Sequence, residues 1–155
     1  MPTNFEFTRK TKANISDTMD FWTHPEFMLQ LNPDVFKQIT IKSKGADTVT
    51  YEWRDEFMGR KMVGVNRLTL NKDARRVVEE TIEGAGKGSK MIHSFKELPN
   101  GTEDKYTAAM EFGALGFLAK GAWKSVVEKG FDEAEKRLDE KSSQREMTPT
   151  KVSSL

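Results

Sequence analysis

The chain has no cysteine in its 155 residues. That excludes a disulfide framework, a thiolate zinc site and a cysteine nucleophile, and it suits a reducing compartment. Histidine is almost as scarce, with only His24 and His93. No pair at helical ligand spacing exists, so neither a metal site nor a cofactor is expected. The longest apolar run, Ala114 to Ala119, falls far short of the ~20 residues that cross a bilayer. The opening MPTNFEFTRK lacks the apolar core of an export signal. Charge of one sign is missing too: 25 Lys+Arg face 24 Asp+Glu, a net +1, so no nucleic acid and no stable membrane insertion is expected. The expectation from these absences is a soluble, cytoplasmic, monomeric chain with one sizeable core.

What is present is a clear order of periodicities. Phe5, Phe7 and Ala13 alternate in a first strand. Ser16 offers an N-cap, with Asp17 and Asp20 in the first turns of a short helix carrying Met19 and Trp22. Thr23-His24-Pro25 interrupts it, and a second short helix with Phe27, Met28 and Leu31 stops at Asn32-Pro33. From Val35 the period is two. Ile39 and Ile41 mark one strand, and Val49, Tyr51, Trp53 and Phe57 line the next around an intruding Asp55. Further strands run from Met62 to Leu70, after a turn at Met58-Gly59-Arg60-Lys61, and from Arg76 to Ile82. Two more carry Met91, His93, Phe95 and then Tyr106, Ala108, Met110, Phe112, with further turns at Asn71–Ala74, Gly84–Gly88 and Pro99–Gly101. From Leu115 to about Glu140, apolar residues including Leu118, Ala122, Trp123, Val126, Phe131 and Leu138 recur at steps of three and four, opposite a charged face. Residues 1–140 thus read as one domain and 141–155 as a disordered tail with almost nothing to bury.

Seven antiparallel strands spaced by about 4.8 Å make a sheet about 29 Å wide, whereas a helix is only about 10–12 Å thick. One helix cannot cover that width flat. Both apolar surfaces are buried only if the sheet curls around the long helix, with the helix pair closing one end. Such an α+β arrangement, β-αα-β6-α, tends to leave volume between sheet and helix. Gly116, Gly121 and Gly130 add to it if they face inward, at about 1 kcal/mol of helix stability each.

This order resembles the START-like or SRPBCC superfamily of helix-grip proteins, in its polyketide-cyclase-like or birch-pollen-allergen-like branch. The resemblance covers roughly residues 4 to 140. It is carried by the break at Trp22-Thr23-His24-Pro25, the six-strand meander, and Gly113-Ala114-Leu115-Gly116-Phe117-Leu118 feeding a helix that ends Phe131-Asp132-Glu133-Ala134-Glu135-Lys136-Arg137-Leu138. It implies a curved sheet gripping a long C-terminal helix around a hydrophobic pocket. It does not imply one activity.

Trp22, Tyr51, Trp53, Tyr106 and Trp123 are candidates for an apolar ligand cage with hydrogen-bonding tips. Phe27, Phe57, Met91 and Met110 join them from the helix pair and strands, and Leu118, Ala122 and Val126 from the long helix. His93, between Met91 and Phe95, is either a satisfied core histidine or a polar contact in the pocket. Asp55 either returns to water at a bulge or faces inward, where it needs a partner such as Arg9 or a raised pKa. Neither Asn66 nor Arg67 can be assigned to a face. The GAGKGSK stretch (84–90) is not a phosphate loop, because it joins two strands and Lys87 is followed by Gly88. The function expected is binding, transport or sequestration of a lipid, isoprenoid, quinone or polyketide-like molecule. The alternative is a cyclase or dehydratase in which His93, Asp55 or Tyr106 moves protons.

Overall fold

The computed structural model describes residues 2–113 and 116–153, with side-chain placements for all of these except 117, 118 and 145–153. The chain begins with β1 (Thr3–Thr11), then α1 (Ile15–Phe21) and a 3-10 turn (Pro25–Phe27) that runs into α2 (Met28–Leu31). Six strands follow: β2 (Phe36–Lys44), β3 (Thr48–Phe57), β4 (Arg60–Asn71), β5 (Arg76–Gly84), β6 (Lys90–Leu98) and β7 (Gly101–Met110). The last element is α3 (Gly116–Ser153). The sheet order is β1-β7-β6-β5-β4-β3-β2, antiparallel throughout. The first strand therefore closes against the last, and the meander fans out from there. This is the helix-grip arrangement expected from the element order.

Local chemistry accounts for the boundaries. The N-cap of α1 is Asn14, whose Oδ1 accepts from the Asp17 N–H at 2.8 Å, rather than the expected Ser16; an extended φ,ψ at Asn14 lets its short amide turn back on the first turn of helix. Pro25 opens the 3-10 turn, where its missing N–H costs nothing. Met58 and Gly59, both at positive φ (53° and 74°), form the two-residue turn between β3 and β4 that matches strand twist.

The register sorts side chains between the two faces. Phe5, Phe7 and Arg9 lie opposite Ala108, Tyr106 and Asp104, which in turn pair with Met91, His93 and Phe95. Tyr51 lies opposite Asn66 and Asp55 opposite Met62. Asn66 is therefore buried on the concave face and Arg67 exposed on the other. The described part of α3 lies along β1 and against α1 and α2, burying Phe131, Ala134 and Leu138. Ionic and polar contacts fix its azimuth. Arg9 reaches Asp132 at 2.6 Å, Arg137 donates to Gln30 at 2.5 Å, and Lys129 meets Asp34 at 3.2 Å.

Two expectations are corrected here. The helix does not stop near Glu140 but continues through Ser153. Residues 141–148 contain no glycine or proline and include the helix formers Lys141, Gln144, Arg145, Glu146 and Met147. The start of this stretch is also tied down: Ser142 Oγ donates to the Lys12 carbonyl at 3.0 Å, and Lys141 Nζ lies 3.8 Å from Asp17. Second, Gly121 is exposed and lends no space to the interior, while Gly130 is buried yet a Cβ there would meet no atom within 4 Å.

Candidate functional site

The concave face of the sheet holds a row of ionisable side chains that a purely structural core would not need. Glu79 of β5 is the first. Its Oε1 accepts from the Tyr51 hydroxyl and, at 3.3 Å, from the Asn66 amide. Asn66 also donates to the Tyr51 oxygen at 3.2 Å and accepts from Trp53 Nε1 at 2.8 Å. Trp53 can lie flat on the sheet because β4 has Gly64 opposite it; a Cβ there would overlap the indole. Burial pushes the Glu79 carboxyl up to about 7, with the nearby His93 pulling the other way.

His93 is enclosed by rings. It stacks on Trp22 at 4.4 Å between centroids and meets Tyr106 at 4.9 Å and Phe131 at 5.8 Å. Its Nδ1 lies 2.8 Å from Asp104 Oδ2, and both side chains are buried. Burial raises the Tyr106 hydroxyl far above its ordinary pKa, and the carboxylates of Glu79 and Asp104 add to that. Tyr106 therefore stays a neutral donor.

Asp55 of β3 is the third group. Its side chain faces the interior, 5% exposed, and its Oδ1 has no hydrogen-bond partner among the described residues. Desolvation alone pushes its carboxyl up to about 7. Arg9, the partner expected for it, is instead held by Asp132 and Glu135 of α3, at 2.6 and 3.6 Å. The reason is distance across the sheet: β1 is one edge of the strand order and β3 lies next to the other edge, with four strands between them. Phe36, opposite Asp55 in the register, and Phe57, two residues further along the same face, flank the carboxyl. Trp123 of α3 packs on both, at 6.2 and 5.2 Å between centroids. The indole is buried and its Nε1 also lacks a partner among the described residues. An unpaired acceptor on the sheet and an unpaired donor on the helix thus share one aromatic enclosure.

The structure gathers most of the sequence-derived site residues. Phe57, Met91, Tyr106, Met110 and Trp123 share one buried cluster, with Trp22 and Val126 packed against it. Tyr51 lies in the neighbouring cluster, with Trp53 at its margin. Trp22 borders both and also a third cluster around Ala134 and Leu138 in the middle of α3. Two residues fall outside this interior. Ala122 is exposed, because one residue along a helix is a rotation of about 100° from buried Trp123. Phe27 stacks on Phe21 at 4.8 Å and lines an outer hollow with His24 and Arg137. The Leu118 side chain lies outside the described residues.

Glu79, Asp104 and Phe36 were not singled out from the sequence. Adjacent Glu79 and Glu80 in one strand were the available signal, since alternation obliges one of the two to face inward. Asp104 similarly shares the parity of Tyr106.

Two outer hollows, of about 440 and 420 Å3, flank α3 along Asp132–Ser143 and beside Phe21, His24 and Phe27. Neither lies between the sheet and α3. The interior enclosure instead contains four of the chain's eight methionines, Met28, Met62, Met91 and Met110, side chains that repack readily. At the β2 edge the inward-facing Ile39 and Trp53 are half-buried and Ile41 is 40% exposed. Among the described residues no group of three or more His, Asp or Glu is placed to hold a metal ion, and no helix is long and apolar enough to cross a membrane.

No protein-family model and no curated protein sequence matches the chain. Its structure is similar to that of a START superfamily protein from Mycobacterium smegmatis: 15% identity, TM-score 0.70, covering 87% of this chain and 98% of that one. It is also similar to the Zhui aromatase/cyclase from Streptomyces sp. R1128, at 11% identity and TM-score 0.68 over 94% and 96% of the two chains. A major latex-like protein from Panax ginseng matches at 11% identity and TM-score 0.64 over 88% and 97%. The chain has the START-like helix-grip fold that its element order suggested.

Proposed function

We propose that the protein binds a small hydrophobic molecule, such as a lipid, isoprenoid, quinone or polyketide-like compound, between the concave sheet and α3, and carries or sequesters it. The observation that carries this reading is the pair of polar atoms, Asp55 Oδ1 and Trp123 Nε1, that have no partner among the described residues and border one apolar enclosure. Each such atom costs about 1–3 kcal/mol unless something fills its hydrogen bond. A ligand with an apolar body and a polar end relieves both costs and loses its own apolar surface from water at about 25 cal/mol per Å2. The adaptable methionine lining and the incompletely covered β2 edge support the same reading.

The test is native mass spectrometry of freshly purified protein, followed by titration with representatives of the four compound classes, read by tryptophan fluorescence and thermal shift. An adduct that leaves on denaturation, or a saturable response from one class, is the expected result. No adduct together with no response from any class refutes the reading.

An enzymatic reading, of cyclase or dehydratase type, has one observation in its favour. Buried Asp55 and half-buried Glu79 are carboxyls that desolvation pushes up to about 7, where a group serves as acid and base alike. Asp55→Ala and His93→Ala separate the two. A binder loses about tenfold in affinity at most, whereas an enzyme loses about 10²- to 10⁴-fold in turnover.

A further inference from the structure

We infer that the ligand presents a neutral hydroxyl group to Asp55 and Trp123, and that this pair selects alcohols or phenols over acids, amines and plain hydrocarbons. The inference rests on the ligand-binding reading above and specifies its chemistry. Asp55 Oδ1 and Trp123 Nε1 differ in hydrogen-bonding sense: the carboxylate oxygen accepts and the indole N–H only donates. Both are at least nine-tenths buried, at 5% and 9% exposure. They belong to one neighbourhood: Trp123 packs on Phe36 and Phe57, and Asp55 is paired with Phe36 in the register and stands two residues from Phe57 in β3.

Each simple polar end group meets this pair differently. A hydroxyl donates to the carboxylate and accepts from the indole with one oxygen, so both orphan atoms are satisfied at once. A carboxylate ligand accepts from Trp123 but sets a second negative charge beside Asp55 in an apolar enclosure. An ammonium pairs with Asp55 but turns N–H groups toward the N–H of Trp123. A hydrocarbon leaves both atoms unpaired, with the penalty already present in the empty protein. No cationic side chain is paired with Asp55 among the described residues, so nothing in the site offsets the charge of an acidic ligand.

The experiment uses the full chain and four probes on one skeleton: 2-naphthol, 2-methylnaphthalene, 2-naphthoate and 2-naphthylmethylamine, titrated calorimetrically at pH 7.5. The expected result is that 2-naphthol binds at least tenfold tighter than each of the others. Trp123→Phe and Asp55→Ala should each reduce 2-naphthol affinity five- to tenfold and leave 2-methylnaphthalene within twofold. Asp55→Asn, which keeps an acceptor oxygen and folds without a buried charge, should recover most of the loss. Binding of all four probes within threefold of one another, or tightest binding of a charged probe, overturns the hydroxyl inference and leaves the pocket standing. Failure of all four to bind overturns the pocket reading itself. Retained far-ultraviolet circular dichroism distinguishes lost recognition from lost fold in each variant.

Discussion

Replacing Asp55 by asparagine should make the protein more stable, and by an amount that grows with pH. A carboxyl whose pKa moves from 3.8 to about 7 on folding binds its proton more tightly in the folded state. Folding therefore carries no electrostatic cost from this group well below pH 3.8, where both states are protonated. Between the unfolded and folded pKa values the unfolded chain ionises first, and stability falls as pH rises. Above pH 7 both states are ionised and the loss is complete. Each unit is worth about 1.4 kcal/mol, so a shift of about three units amounts to about 4 kcal/mol at pH 8. The asparagine side chain carries no such charge, although its amide still needs partners, a penalty that does not vary with pH. Urea denaturation followed by tryptophan fluorescence, on both proteins at half-unit steps from pH 4 to 8, isolates the effect, because every other titrating group cancels in the difference. The stability advantage of Asp55→Asn at pH 8 should exceed that at pH 4 by about 3–4 kcal/mol. A difference that stays constant across the range would show that Asp55 is hydrated in the folded state and would remove the electrostatic argument for its site.

Gly64→Ala places a methyl group where the Trp53 indole lies. It should expel that ring, break its bond to Asn66, red-shift the emission and cost about 1–3 kcal/mol by overpacking; unchanged emission would show that the indole is not held there. Gly130→Ala should have the opposite sign, since the added Cβ meets nothing within 4 Å. Removing a mid-helix glycine gains about 1 kcal/mol, or about 2–4 °C in melting temperature for a chain of this size. A lowered melting temperature would mean that the space beside Gly130 is already filled.

The element order was legible because each segment advertises its own period. The meander follows from alternation between Val35 and Phe112 broken by turn residues, and the closing helix from the three-and-four spacing around Trp123 and Phe131. Inward-facing side chains were legible where an apolar alternation was unbroken, as for Tyr51 and Tyr106, whereas the facing of Asp55 was left open by the sequence. Asn66 was not legible, because apolar residues occupy both parities of its strand, Val63 and Val65 on one and Met62, Leu68 and Leu70 on the other, and only the regular pairing of Asn66 with Tyr51 assigns it to the concave face. Ala122 was misplaced because an apolar stripe read from spacing is broad enough to include an exposed edge position beside Trp123.

Local covalent preference and period determined which residues form strands and helices and which of them face apolar surroundings, because those depend on neighbours within a few positions. Which charges meet which partners was decided only in three dimensions. Arg9 is drawn to Asp132 on the packed helix rather than to Asp55 across the sheet, Glu79 finds Tyr51 and Asn66 from two other strands, and Asp55 Oδ1 and Trp123 Nε1 are left without a partner among the described residues. Electrostatics and hydrogen bonding act through space over a few ångströms, so residues as many as 130 positions apart in the chain become neighbours only when the sheet closes on its helix.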